Sequence, residues 1–367
     1  MMNKSSKIYL AGHLGLVGSA IHRKLVGSGY TNIVFRSFAE LDLKDSLATE
    51  KFFEQEKPDY VILAAAKVGG IMANNDYRAD FLYENLLIQN NIIYQSYKHK
   101  VKKLIFLGSS CIYPKNAPQP LKEDSLLTSE LEYTNEPYAI AKITGIKLCE
   151  SFNLQYGTNF ISLMPTNLYG PGDNFDLEKS HVLPAIIRKL HLGKSLMNND
   201  MEAIRKDMDK YPVLGNTGKS PEKEILAVLE KFGVKRKGQE VSVGFWGTGS
   251  PRREFLHSDD LAGACVFVFE NLDFKDLVDD KTKFDRVVKD IRNTHINIGS
   301  GTDITIRELV GMAKKIIGYQ GSVEWDTSLP DGTGQKLMDV SKIRALGWKD
   351  TISLESGITS VYQNYCS

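Results

Sequence analysis

The sequence predicts an α/β protein built on a doubly wound parallel sheet, and three observations carry that prediction. Short apolar runs, such as residues 7–11 and 60–66, read as strands buried on both faces. Longer stretches of helical period alternate with them, as between Ile21 and Val26 and over residues 85–97. The first run leads straight into Gly12-His13-Leu14-Gly15-Leu16-Val17-Gly18, and strand, glycine turn, helix is the context in which such a sheet receives a dinucleotide. The spacing is GxxGxxG, and an ordinary tight connection is its bland counterpart.

The elements follow in order. Residues 33–36 form a second strand, 60–66 a third, 103–108 a fourth and 159–163 a fifth. The small Ala64 and Ala65 would let a cofactor lie close. Leu107 and Gly108 end the fourth strand and lead into Ser109-Ser110-Cys111-Ile112-Tyr113-Pro114, hydroxyls and a thiol at the carboxyl end where open α/β sheets bind ligands. The fifth strand runs into Pro165-Thr166-Asn167-Leu168. Between them, Pro137 suits the first turn of a helix that places Tyr138 and Lys142 four residues apart on one face. A lysine ammonium beside a tyrosine is expected to lower the phenol's pKa.

Residues 1–170 are expected to form the dinucleotide-binding domain. Residues 171–367 mainly form a smaller α+β substrate domain, with segments near 255–272 and 294–300 returning to the first. A charged stretch at 194–240 reads as an inserted helical hairpin, and 273–292 as a second charged segment.

The chain has 367 residues and a formal net charge of +1, with no basic stripe dense enough for nucleic acid. Its four cysteines show no metal-binding spacing, so no metal site is expected. No apolar run reaches the length of a membrane span, and residues 1–7 are polar without a signal-peptide core. A cytoplasmic protein is the expectation. At the end of the second strand an NAD enzyme places an acid for the ribose, whereas Arg36 stands here with Asp42 and Leu43 further on. A cation suits a 2′-phosphate, so NADP(H) is favoured and NAD(H) stays open.

Ser109, Tyr138 and Lys142, with Gly12, Gly15 and Gly18, resemble the extended short-chain dehydrogenase/reductases. Longer strings narrow the resemblance to the GDP-L-fucose synthase branch: Leu-Ala-Ala-Ala-Lys-Val-Gly-Gly at 63–70, Gly-Ser-Ser-Cys-Ile-Tyr-Pro at 108–114, Thr-Asn-Glu-Pro-Tyr at 134–138 and Met-Pro-Thr-Asn-Leu-Tyr-Gly at 164–170. The resemblance covers nearly all of the chain outside 194–240 and part of 273–292. It implies reduction of the C4 ketone of a GDP-4-keto-6-deoxy sugar, preceded by inversion at C3 and C5. Tyr138 would give the proton, Ser109 a hydrogen bond, and Lys142 would tune Tyr138 and hold the nicotinamide ribose. Cys111 and His181 match the branch's epimerising pair, and His181 also falls at its cofactor site. Lys189, Trp246, Arg253, Asp331 and Lys336 fall where the branch holds the nucleotide sugar. The resemblance further implies a homodimer built from helices near 85–98 and 137–156. Alternatives stay open: a 4-reductase fed by a separate epimerase and acting on a hexose or heptose, or a nucleotide-sugar 4-epimerase or 4,6-dehydratase. Leu14 and Phe38 stand where the branch has basic residues that read the 2′-phosphate.

Overall fold

Strand β1 (Ile8–Ala11) is buried along its whole length and opens the chain's first βαβ unit in a computed structural model that describes residues 3–278, 291–329 and 331–367. Helix α1 (Leu16–Gly27) follows the glycine turn, then β2 (Ile33–Val34) and α2 (Ser46–Glu56), whose first amides are capped by Asp45 Oδ1 at 2.9 and 3.0 Å. Next come β3 (Tyr60–Leu63), α3 (Ile71–Asp76), the long α4 (Arg78–Lys98) and β4 (Lys103–Leu107). Helix α5 (Glu136–Tyr156) has Pro137 in its first turn and ends at Gly157, whose φ of +68° gives the left-handed stop that β-carbon-bearing residues resist. Strands β5 (Phe160–Pro165) and β6 (Asn167–Tyr169) complete this stretch.

Helices α6 (Val182–Met197), α7 (Met201–Lys210) and α8 (Glu222–Lys231) come next, followed by β7 (Val234–Lys237) and β8 (Glu240–Trp246). The insertion is thus only partly the helical hairpin the sequence suggested. Gly233 (φ +87°) stops α8, Gly238 (φ +63°) turns the chain, and residues 234–237 pair antiparallel with β8. The pattern hid this strand because Lys-Arg-Lys on a sheet edge reads as a solvated charge run. The remaining elements are β9 (Arg252–His257), α9 (Ser258–Asn271), β10 (Ile296–Ile298), β11 (Asp303–Thr305), α10 (Ile306–Ile317), β12 (Ser322–Asp326), β13 (Gln335–Lys336), α11 (Ser341–Ala345) and α12 (Leu354–Cys366). Part of the charged segment at 273–292 lies outside the described residues.

The chain divides into two compact units. The first comprises Met1–Leu168, Glu254–Thr302 and Leu337–Ile352. The last of these segments was read from sequence as part of the second domain, because a short polar loop and a five-residue helix carry little periodicity. Its sheet has six strands in the order β10-β5-β4-β3-β1-β2, with parallel pairing throughout. Helices α1 and α9 pack together, as do α2, α4 and α5, giving the two flanking layers. Ile8, Leu10, Ile62, Ile105, Phe106 and Leu163 form the core between them. Burial of such side chains contributes about 1.5–3 kcal/mol each.

The second unit comprises Tyr169–Arg253, Asp303–Lys336 and Ser353–Ser367. A three-stranded sheet, β12-β8-β7, packs against α6. The insertion is fastened by Arg188, which is fully buried on α6. Arg188 donates to Asp207 Oδ1 through Nε and Nη2 at 3.0 and 2.8 Å, to the Phe175 carbonyl at 3.0 Å and to the Tyr211 carbonyl at 2.6 Å. The Tyr365 hydroxyl donates to the other oxygen of Asp207, and the Tyr211 and Tyr365 rings stack 5.7 Å apart. Every polar atom of the buried guanidinium fork is thus answered by an oxygen, the condition under which such burial is tolerated.

Candidate active site

The glycine turn is built by close packing. A β-carbon at Gly12 (φ +89°) would lie 2.6 Å from the Ala65 amide nitrogen, and one at Gly18 only 2.0 Å from the Gly12 carbonyl oxygen. Gly15 is different: a β-carbon there would meet nothing nearer than 3.6 Å. Gly15 is the N-cap of α1 and offers no side-chain cap, so the amides around Leu16 and Val17 are left for an anion. These features fit a dinucleotide pyrophosphate. Ala64 and Ala65 lie directly against the turn, and His13 stacks on Phe35 at 4.3 Å. Arg36 is less available than the sequence suggested. Its Nη2 pairs with Glu56 at 2.6 Å and its Nη1 donates to the Phe35 carbonyl at 2.8 Å. Asp42 accepts the Lys44 amide at 3.0 Å, and the Leu43 carbonyl accepts from Asn91 at 2.8 Å.

The carboxyl end of β4 carries Ser109. Its Oγ accepts the Cys111 amide at 3.3 Å and caps a short 3₁₀ turn over Ser110–Ile112, which buries Cys111. Gly108 packs against Met164, whose Sδ would lie 2.3 Å from a β-carbon there and would have to move to admit one. Lys142 is buried on α5, with Nζ donating to the Leu107 carbonyl at 2.8 Å and standing 5.7 Å from the centre of the Tyr138 ring. The first unit therefore brings Leu107, Tyr138 and Lys142 together.

The electrostatics reverse one expectation. Burial holds the Tyr138 phenol well above its ordinary value, and the nearby Cys111 thiol works in the same direction. Burial pushes Lys142 down to about 8. Desolvation outweighs the pairing assumed from the four-residue spacing, because the ammonium is directed at a carbonyl and the phenol lies in a poorly hydrated setting. The result is a tyrosine that keeps its proton, which suits a donor.

Beyond β5, the Thr166 amide donates to the Ile298 carbonyl at 3.0 Å, and Asn167 Nδ2 donates to the Glu254 carbonyl at 2.8 Å. Pro165 closes β5 and Leu168 continues β6.

The remaining predicted residues belong to the second unit. His181 is the N-cap of α6 and is exposed. The surrounding protein nonetheless holds its imidazole below the ordinary value, towards the neutral form. Lys189 on α6 donates to the Gly244 carbonyl at 3.1 Å and is pushed down to about 8 by burial. Trp246 ends β8 with 64% of its surface exposed. Arg253 and Lys336 are direct partners in the parallel pairing of β9 with β13, a juxtaposition of two cations that sequence separation concealed. Asp331 is tied to Thr248, accepting its amide at 2.9 Å and its hydroxyl at 2.7 Å, and its charge acts on Arg253.

Two buried polar groups escaped the sequence reading. Tyr113, two residues beyond Cys111, reaches His295 Nε2 at 3.0 Å and donates to Asn297 Oδ1 at 2.5 Å, fastening the serine–cysteine loop to β10. Glu254 is fully buried, accepts the amides of Gly301 at 2.7 Å and Met338 at 2.8 Å, and is raised to about 7 by burial. Tyr113 stands in the 108–114 string, but its partners, like those of Glu254, lie far away in sequence. No group of residues suited to a metal ion occurs among the described residues, and no described helix is long and apolar enough to cross a membrane.

A six-stranded parallel sheet with flanking helices, a glycine turn before its first helix, and Tyr138 and Lys142 together on α5 are features of a Rossmann-type oxidoreductase of the extended short-chain class. The chain belongs to the NAD dependent epimerase/dehydratase family, whose profile matches residues 8–207 and 212–297, and within it to the branch of the GDP-L-fucose synthases. It is 49% identical over 365 residues to GDP-L-fucose synthase 1 of Arabidopsis thaliana, covering 100% of this chain and 94% of that one. Among solved structures, it is similar to a GDP-6-OMe-4-keto-L-xylo-heptose reductase from Campylobacter jejuni, with TM-score 0.90, 47% identity and 99% and 98% of the two chains covered. A GDP-mannoheptose C4 reductase from the same organism, with NADP bound, gives TM-score 0.85 and 45% identity, covering 100% of each chain.

Proposed function

We propose that the chain is an NADPH-dependent 4-ketoreductase of a GDP-4-keto sugar, with epimerisation at C3 and C5 before reduction. The observation that carries this reading is the Ser109, Tyr138 and Lys142 set in a chain related along its whole length to GDP-L-fucose synthases and GDP-heptose reductases. NADPH, when bound, supplies the hydride to C4. Tyr138 then gives its proton to the developing alkoxide, and its raised pKa keeps that proton available. Ser109 donates a hydrogen bond to the same oxygen. Lys142 holds positive charge beside them. The amides at the start of α1 and the residues around Ala64, Leu107 and Thr166 hold the cofactor. Arg253 and Lys336, adjacent on paired strands, suit the GDP pyrophosphate, with Lys189, Trp246 and Asp331 holding the rest of the nucleotide sugar.

Cys111 and His181 take and give the protons at C3 and C5. An imidazole changes charge close to neutral pH, which suits His181 to a proton-exchanging role. A second reading, reduction alone of a GDP-4-keto-heptose, is favoured by the TM-score of 0.90 to a reductase of that substrate type. One experiment decides between them. GDP-4-keto-6-deoxy-hexose and the corresponding heptose are supplied with NADPH in heavy water. Cofactor loss with deuterium at C3 and C5 supports the first reading; cofactor loss without deuterium supports the second. Absence of cofactor loss with either sugar would overturn both.

We further infer a homodimer and a reducing, cytoplasmic setting. Tyr83 and Tyr94 on α4, and Ile140 and Tyr156 on α5, are exposed large side chains on two helices that pack together, and no disulfide joins any of the four cysteines.

A further inference from the structure

We propose that Arg78 is a positioning residue: by gripping the Tyr133–Glu136 segment it sets where α5 begins, and so holds Tyr138 in line with the ketone oxygen. The inference rests on the reading of Tyr138 as proton donor and concerns how that side chain is kept in place.

The start of α5 is weakly anchored by its own sequence. Its N-cap, Asn135, makes no side-chain capping bond, and Asn135 Oδ1 is buried without a hydrogen-bond partner among the described residues. The anchor comes from α4, whose first residue is Arg78. Arg78 Nη1 donates to the Tyr133 carbonyl at 2.8 Å, and the guanidinium lies over the Tyr133 ring, 4.3 Å from its centre. Arg78 Nη2 stands 3.6 Å from Glu136 Oε2, two residues before Tyr138. One turn further along α4, the buried Phe81 meets the Tyr138 ring edge-on at 6.3 Å. The same Phe81 ring lies against Gly69, where a β-carbon would come within 3.1 Å of it. The first turn of α4 thus grips α5 at an outer, polar point and an inner, aromatic one.

Two physical arguments give Arg78 this role. A cation at the start of a helix faces the positive end of the dipole, so what Arg78 reaches on the neighbouring segment accounts for its place there. Its ion pair with Glu136 is too open to matter much, with side chains 30% and 45% exposed. The carbonyl bond and the ring contact carry the grip, and a planar guanidinium makes both at once where an ammonium does not. Proton donation depends steeply on distance, so a small drift of the α5 start is felt as rate.

The test measures kcat on the GDP-4-keto sugar that wild type reduces, and NADPH affinity by titration. Arg78→Ala is expected to lower kcat about tenfold with the NADPH Kd changed by less than about twofold. Arg78→Lys should fall between it and wild type. Tyr133→Ala, which keeps the carbonyl and removes the ring, should lower kcat several-fold, and Tyr133→Phe should restore it. In a Tyr138→Phe background, Arg78→Ala should have no further effect, because the group it positions is gone. An equal loss from Arg78→Ala with and without Tyr138 would overturn the proposal, as would an unchanged kcat or a loss matched by weaker NADPH binding. Should Arg78→Ala fail to fold, equal rates for Tyr133→Ala and Tyr133→Phe would overturn it instead. Tyr138→Phe turning over at the wild-type rate would remove the proton-donor reading itself, and the proposal with it.

Discussion

Tyr138 and Lys142 show how far a residue pair can be understood from spacing alone. Four residues on a helix put them on one face, and the structure keeps them 5.7 Å apart, Nζ to ring centre. The spacing could not reveal their surroundings, which raise the phenol and lower the amine to about 8. Two predictions follow at this scale. Tyr138→Phe should lower the rate of ketone reduction about 10²–10⁴-fold, the usual worth of a positioned proton donor, with NADPH affinity unchanged by titration. Lys142 should impose an alkaline limb. As pH rises through about 8 the ammonium loses its proton while Tyr138 keeps its own, so kcat for reduction should fall above that pH. A pH–rate profile flat from 7 to beyond 9 would contradict this. The roles of Glu254 and Tyr113 were not legible in sequence because a buried polar group is defined by its partners, and those lie 47 and 84 residues away for Glu254 and 182 and 184 for Tyr113.

Among the elements, those with strong periodicity or a glycine signal were legible. The strands of the parallel sheet, the helix bearing Tyr138 and Lys142 and the glycine turn needed only local pattern. Elements whose stability comes from distant partners were not. Strand β7 is a charged edge that exists because β8 offers it a hydrogen-bonding partner. The insertion is held by the Arg188–Asp207 pair, whose members are 0% and 3% exposed. Removing one partner leaves a buried, unanswered charge. Asp207→Ala should therefore destabilise the second unit by about 3–5 kcal/mol, measured as the shift in a urea unfolding transition. An effect below about 1 kcal/mol, the range of exposed pairs, would show that the pair does not fasten the insertion.

For the whole molecule, the dimer proposed above is tested at the exposed aromatic side chains of α4 and α5. Tyr94→Glu should place a charge beside the Tyr97 and Tyr156 rings, which stack 4.4 Å apart, and should shift sedimentation from dimer to monomer. Wild type sedimenting as a monomer at micromolar concentration would contradict the dimer. The chain passes between its two units at residues 168/169, 253/254, 302/303, 336/337 and 352/353, so neither unit is a continuous length of polypeptide. That interleaving bears on how the protein is made. Asp207 meets Arg188 from only 19 residues away, yet the Tyr365 hydroxyl that completes its shell comes 158 residues later. At ~5–20 residues per second, a ribosome takes about 8–30 s to cover that distance. For that interval the nascent second unit carries its most buried ion pair without the helix that shields it. A growing chain in this state is one that a chaperone would be expected to hold.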